Sequence, residues 1–175
     1  SLFGGVGSVT TTNGGRLFVG DATDDAGFGV AVADSDPIGT NGGVLTIVNG
    51  STLNSVNGAL IGAFSSPGAT KSGRVVVAGT GSLWNAGGPE ALNVGFNGIG
   101  ELDVHSGGRV VASDNLFSGS FGGTGTINVA SGGTIETTLQ VILSDQTGTI
   151  STTTVTGTNS TLAVGTLLEV GRDGT

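Results

Sequence analysis

The chain has 175 residues, a net charge of −8 with only five basic residues, and neither cysteine nor methionine. This composition excludes disulfide bonds and thiolate metal sites, and it lacks the basic stripe that nucleic-acid binding requires. Glycine accounts for 36 residues, yet a mean hydropathy of +0.28 is too apolar for a disordered chain. No apolar run approaches the roughly 18 residues of a membrane helix, so we expect no membrane insertion in this segment.

The first predicted element is a strand and turn that reads Gly-Ser-Val-Thr-Thr-Thr-Asn-Gly-Gly-Arg-Leu from Gly7 to Leu17. The same pattern returns without a gap at 100–110 and 125–135, and weaker copies occupy 44–53, 74–83 and 152–162. The last copy needs one extra residue within 158–161. A second apolar block follows each copy, and these blocks begin at Leu17, Leu60, Leu92, Leu116, Leu139 and Leu168. The sequence therefore predicts six imperfect repeats.

The longest insertion follows the first repeat, at residues 21–41. Carboxylates in this glycine-rich loop suggest one hypothesis, a Ca²⁺ site, although the EF-hand spacing is absent; they are Asp21, Asp24, Asp25, Asp34 and Asp36. Apolar residues alternate with Gly and Ala at Phe28, Val30 and Val32. We interpret this alternation as an extra strand that packs on an edge or contacts a partner.

The apolar anchors of the six first strands set the repeat length. They are Thr11, Ile47, Val77, Val104, Val129 and Val155, separated by 36, 30, 27, 25 and 26 residues. Periods of this size indicate a solenoid, and period-two alternation within each strand makes it a β-solenoid. We predict one all-β domain over residues 1–175, a three-sided parallel β-helix of about six coils. Its right-handed sense follows from the general preference of parallel crossovers.

A polar face is predicted in the fourth repeat, where alternation places Glu101, Asp103 and His105 on one outward side. Arg74 falls beside Glu101 one coil earlier, which predicts a cross-strand ion pair. Two carboxylates at this spacing permit a polysaccharide-cleaving hypothesis. The neighbouring columns supply no further acid or base, so we favour an ordinary solvated face. Trp84 and Phe96 allow a second hypothesis, an exposed sugar-stacking spot, against the simpler interpretation that both pack on neighbouring coils.

The two ends of the sequence fall in the same loop of the repeat. Residues 3–7 match 121–125, and residues 170–174 match 94–98. Neither end resembles a polar capping coil, although solenoids need caps for solubility. We expect an in-phase slice of a longer array or a unit whose ends stack on something.

The chain resembles a known repeat family at several of these motifs. They are Leu-x-Val-x-x-Gly-Gly at 102–108, Val77 to Trp84, Val155 to Leu162, and Leu-x-Val-Gly at 92–95 and 168–171. The resemblance, over nearly the whole chain, is to the repeat associated with bacterial autotransporters (type V secretion) and PEP-CTERM proteins. It implies a surface or secreted β-solenoid used as a stalk, adhesin or matrix component, with no catalytic residues. Apart from the Ca²⁺ hypothesis, we expect no cofactor.

These observations favour a structural protein outside a bacterial cell rather than an enzyme. The expected partner is a second copy of the chain stacked end to end, with surface glycans or matrix as a further possibility, and no nucleic acid. The alternative hypothesis is a β-helix that binds or cleaves carbohydrate.

Overall fold

The structure is a computed structural model that describes residues 7–19, 30–32, 42–63 and 72–173, and every described regular element is a strand. The first nine strands are β1 (Gly7–Thr11), β2 (Arg16–Val19), β3 (Val30–Val32), β4 (Gly42–Val48), β5 (Thr52–Ser55), β6 (Ala59–Ile61), β7 (Ser72–Ala78), β8 (Leu83–Ala86) and β9 (Leu92–Phe96). The others are β10 (Ile99–His105), β11 (Arg109–Ala112), β12 (Leu116–Ser120), β13 (Thr124–Ala130), β14 (Thr134–Thr137), β15 (Gln140–Leu143), β16 (Ile150–Thr156), β17 (Thr161–Ala163) and β18 (Leu167–Val170).

Every third strand joins the same parallel sheet. The first sheet has the order β1-β4-β7-β10-β13-β16, the second β2-β5-β8-β11-β14-β17 and the third β3-β6-β9-β12-β15-β18. Three successive strands therefore form one coil, and the six strands of each sheet stack six coils. The predicted three-sided parallel β-helix is confirmed, and its right-handed sense stays a prediction.

The inward column predicted from the sequence is confirmed residue by residue. Its pairs are Thr11 with Ile47, Ile47 with Val77, Val77 with Val104, Val104 with Val129, and Val129 with Val155. The four central members are fully buried, at 0% exposure each. Because each coil covers the apolar residues of its neighbours, the core continues from coil to coil without a break.

The Gly-Gly pairs at the corner between the first and second sheets have two different physical roles. Ser106 and Gly107 both have positive φ, at 55° and 81°, so the first glycine of the pair occupies the left-handed region that glycine tolerates best. Gly108 has no such φ; a Cβ there would instead run into the carbonyl of Val77 in the coil below. Gly107 thus permits the tight turn, and Gly108 permits the close approach of two backbones.

A second glycine column lies where the third sheet leads into the first. In-register pairing aligns Gly43, Gly73, Gly100 and Gly125. A Cβ at Gly100 would lie 2.5 Å from the carbonyl oxygen of Ile61 and closer still to the Gly95 nitrogen. The two sheets therefore approach each other at a distance that leaves no room for a side chain.

The structure corrects one assignment in the first repeat. The apolar segment 17–19 belongs to β2 in the second sheet, where Leu17 pairs with Leu53, whereas the blocks at Leu60, Leu92 and Leu116 lie in the third sheet. The third-sheet strand of the first coil is β3, in which Val30 pairs with Ala59. The strand predicted here is confirmed, but Val30–Val32 is an integral strand of the first coil and not an addition to it.

The turn lengths agree with the predicted repeats except in the copy at 74–83, where an extra residue that the sequence analysis did not predict gives a four-residue corner, 79–82. Three residues, 131–133, connect β13 to β14, and four residues, 157–160, connect β16 to β17. The extra residue predicted within 158–161 is therefore confirmed as part of the corner. The corner absorbs it, since Thr134 still pairs with Thr161 and the register of the second sheet is kept.

Candidate functional site

The predicted polar face lies on the outer side of the first sheet. Glu101, Asp103 and His105 alternate along β10, and Arg74 on β7 pairs in register with Glu101. The predicted Arg74–Glu101 ion pair is confirmed, with 3.3 Å between Arg74 Nε and Glu101 Oε2. The register of the sheet therefore brings together all four residues that the sequence grouped.

The main contact of Arg74 is with Asp103 and not with Glu101. Arg74 donates to Asp103 Oδ2 from Nε at 2.8 Å and from Nη2 at 2.5 Å. Asn128, one coil further on, donates from Nδ2 to Asp103 Oδ1 at 2.9 Å. Asp103 is only 7% exposed, so the interpretation of this face as an ordinary solvated face was wrong for Asp103, because side chains from both neighbouring coils cover it.

In this arrangement the guanidinium of Arg74 forms ion pairs with the carboxylates of Glu101 and Asp103. The hydrogen bonding that Asp103 accepts from Arg74 is the largest cause that raises the pKa of the Arg74 guanidinium, and it stabilises the charged form of the guanidinium. Both oxygens of Asp103 accept hydrogen bonds, and His105 Nδ1 lies 3.0 Å from Ser106 Oγ. Arg74, Asp103 and Asn128 therefore form a hydrogen-bond network that links three successive coils.

A second ion pair repeats the same diagonal offset on the second sheet, and sequence reasoning missed it. Arg109 on β11 donates from Nε and Nη2 to the two carboxylate oxygens of Glu136 on β14, at 2.9 and 2.6 Å. The hydrogen bond with Arg109 lowers the pKa of Glu136 from its ordinary value. The sequence did contain the necessary information. When the repeats are aligned, each arginine falls opposite a position two residues before a carboxylate of the next repeat.

The candidate calcium ligands Asp21, Asp24, Asp25, Asp34 and Asp36 lie outside the described residues, as does Phe28. Among residues 7–19, 30–32, 42–63 and 72–173, no group of three or more His, Cys, Asp or Glu side chains is placed to hold a metal ion. Val32 is described and is 7% exposed within the core. Its side chain packs inside the coil and contributes no external contact surface.

Trp84 does not belong to an exposed sugar-stacking spot. It lies in β8, pairs in register with Leu53 and Val110, and is 0% exposed. Its indole Nε1 donates to Ser55 Oγ at 3.2 Å, also in the interior. The ring therefore fills the core of the second sheet, as the alternation of β8 requires.

Phe96 has a different environment, beside a second phenylalanine that the sequence analysis did not single out. The ring centroids of Phe96 and Phe121 are 4.5 Å apart with an interplanar angle of 44°. Phe121 is 53% exposed and has a φ of 52°. The signal in the sequence was an aromatic residue before Gly122-Gly123, whereas the Gly-Gly pairs at 14–15, 107–108 and 132–133 follow Asn or Ser.

The coil formed by β16, β17 and β18 exposes residues of the inward columns. Val155, Leu168 and Val170 are 46%, 50% and 71% exposed, although their partners one coil earlier include the buried Val129 and Val141. The outer edges of these strands face no further strand among the described residues. This end face therefore exposes apolar side chains of the kind that each coil inside the chain covers for its neighbour.

The chain matches no known family model, and neither a curated protein nor a solved structure matches it. Within the part of the chain that the structure describes, no helix is long and apolar enough to span a membrane.

Proposed function

We propose that the chain is a structural β-solenoid module that acts outside a bacterial cell, as a length of an adhesin stalk or as a subunit of a filament whose copies stack end to end. The observation that carries the proposal is the unbroken set of in-register columns through all six coils. Such a stack resists bending and shear because every strand is hydrogen-bonded along the rod axis. The resemblance to autotransporter-associated repeats supports the extracellular location.

The last described coil, formed by β16, β17 and β18, presents the surface that a further coil would cover, whether that coil belongs to the same chain, as in a stalk, or to a second copy, as in a filament. It offers open strand edges, which are templates for pairing with another strand, and exposed Val155 and Leu168 in the inward columns. A partner with the same three-sided cross-section would bury these side chains as each coil inside the chain buries its neighbour's. A head-to-tail contact of this kind does not close on itself and generates a filament.

The polar face gives less support to the carbohydrate-cleaving alternative. A general acid must hold a proton that it transfers, whereas the Asp103 carboxylate accepts hydrogen bonds from Arg74 and Asn128 on separate oxygens. Glu101 contacts the same guanidinium. Both carboxylates are therefore placed to stabilise the coil stack.

The test is electron microscopy of the purified protein over a range of concentrations. Fibres with an axial repeat near six coils, about 29 Å at the spacing of β-strands, would support the filament, and single rods of that length would support the stalk. Particles that are not rod-shaped would contradict both. Leu168→Lys places a charge on the end face and should abolish fibres while leaving rods, whereas Ser113→Lys, at an exposed corner, should change neither.

The location is tested separately in the bacterium that produces the protein. Protease added to intact cells should degrade the protein, or the protein should accumulate in the medium. Complete protection inside intact cells would contradict an extracellular role without affecting the rod architecture.

A further inference from the structure

The corner that leads from the third sheet into the first carries an unusual aromatic residue. Phe121 has a φ of 52°, in the left-handed region, and its side chain is 53% exposed. Bulky residues seldom adopt this backbone conformation because the Cβ crowds the backbone. The outlier therefore calls for an explanation beyond the needs of the turn.

The preceding coil shows that the turn does not require phenylalanine. Phe96 pairs in register with Ser120, so Asn97 holds the position equivalent to Phe121, and its φ is 53°. Asparagine tolerates the left-handed region far better than phenylalanine. An asparagine at position 121 would form the same corner with less strain and without an apolar ring in solvent.

The surroundings of Phe121 leave its ring accessible and give it a polar border. Gly122 and Gly123 follow it and add no side chains, and a Cβ built on Gly122 would be 4.0 Å from Asn97 Oδ1. On its other side the ring contacts the half-buried Phe96, at a centroid distance of 4.5 Å. An exposed aromatic ring with a polar side chain at its border suits a ligand with one apolar face and a polar rim.

We propose that Phe121, supported by Phe96 and bordered by Asn97, is a stacking platform for a sugar ring of a neutral polysaccharide. A pyranose presents C–H groups on one face and hydroxyl groups around its rim, so it matches an aromatic face with an adjacent amide. Neutral polysaccharides are favoured over acidic ones because the chain carries a net charge of −8. This site lies on the side of the rod, so its occupation does not depend on how the coil ends are arranged.

The same corner also exposes two isoleucines in one column of the first sheet. Ile99 and Ile150 are 41% and 60% exposed, and Thr124 lies between them in register. A general apolar contact with another protein would use these side chains as much as the ring. A sugar platform depends on the flat aromatic face, and this difference separates the two explanations.

The experiment is native affinity electrophoresis of the purified chain through gels that contain a soluble mixed-linkage β-glucan, a xylan or a galactomannan. The expected result is retardation of the unmodified chain by at least one of the three. Phe121→Asn should weaken the apparent affinity at least about fivefold, the size of effect expected for one aromatic contact. Phe121→Trp keeps an aromatic face and should retain binding.

The controls separate loss of the ring from loss of the fold. Phe121→Asn reproduces the residue at Asn97, so its thermal midpoint should stay within about 4 °C of the unmodified chain. Ile150→Thr reproduces the residue at Thr124 and should leave retardation unchanged. No retardation in any of the three gels, equal binding by Phe121→Asn, or equal loss in Ile150→Thr would each overturn the proposal. None of these outcomes alters the rods expected in the microscope, so the structural function is tested independently.

Discussion

Arg74 and Asp103 lie on adjacent coils two positions out of register, and the guanidinium donates twice to one carboxylate oxygen. Arg109 and Glu136 repeat this diagonal offset on the second sheet. Diagonal neighbours on one face of a sheet lie within reach of a long side chain. The two pairs differ in burial, since the Asp103 side chain is 10% exposed and the Glu136 side chain 38%.

This difference predicts unequal costs for removing the two arginines. Arg74→Ala leaves a covered carboxylate without its charged donor, and we expect a loss of about 1.5–3 kcal/mol in the free energy of unfolding. Arg109→Ala removes an exposed pair and should cost less than about 1 kcal/mol. Urea unfolding of both variants measures the difference. Equal losses would contradict the role of burial at Asp103.

The Arg109–Glu136 pair also predicts a dependence of stability on pH. Because the guanidinium lowers the pKa of Glu136 in the folded chain, the pair stabilises the fold above the unfolded pKa, near ~4.3. Its contribution is lost as the pH falls through the lower folded pKa. The unmodified chain should exceed Glu136→Gln in stability by less than about 1 kcal/mol at neutral pH. Urea titrations should show this gap closing under strongly acidic conditions, and a gap that widens there would contradict the prediction.

The glycine column between the third and first sheets predicts a steric effect. A Cβ at Gly100 would lie 2.5 Å from the Ile61 carbonyl oxygen, so Gly100→Ala should destabilise the chain by about 1–3 kcal/mol or more through overpacking. Gly42, also in a first-sheet strand, would bring its Cβ no closer than 3.3 Å to Ser72 Oγ. Gly42→Ala is the matched control and should cost less than Gly100→Ala. Thermal unfolding compares them, and a neutral Gly100→Ala would contradict the close approach.

The buried hydrogen bond between Trp84 and Ser55 predicts that removing its acceptor lowers the free energy of unfolding. Ser55→Ala leaves the indole N–H of Trp84 without its acceptor in the core, and we expect a loss of about 1–3 kcal/mol. Because Trp84 is the only tryptophan, its fluorescence follows unfolding directly. The exposed Ser113→Ala is the control and should change stability by less than about 0.5 kcal/mol. Trp84 emission characteristic of solvent in the native state would contradict its placement.

The inward columns were predictable because alternation and repeat length act on the same residues. Val104 and Val129 stand 25 residues apart in matching patterns, and a one-residue slip in register would move their side chains to the outer face. The same logic gave the Arg74–Glu101 pair. The preference of Arg74 for Asp103 was not predictable, because it depends on the direction in which a long side chain leans.

The first coil was harder to read because two faces carry the same short apolar pattern. The block at Leu17 looks like the third-sheet blocks at Leu92 and Leu116, but it lies in the second sheet. A short apolar run does not indicate which of the three sheets it belongs to. Because a long insertion separates Val30 from Leu17, the sequence analysis did not identify Val30 as the third-sheet equivalent. Likewise, the strain at Phe121 depends on a backbone φ that composition and alternation do not report.

The in-register columns make one coil the natural unit of length for this protein. Residues 99–123 contain β10, β11 and β12, one strand of each sheet. Ile99 pairs in register with Thr124, so joining Gly98 to Thr124 would place each later strand where its predecessor stood. Duplication or loss of such a segment would change the rod by about 4.8 Å and leave its cross-section intact. Duplication or loss of this one-coil segment by recombination would therefore produce rods of different lengths.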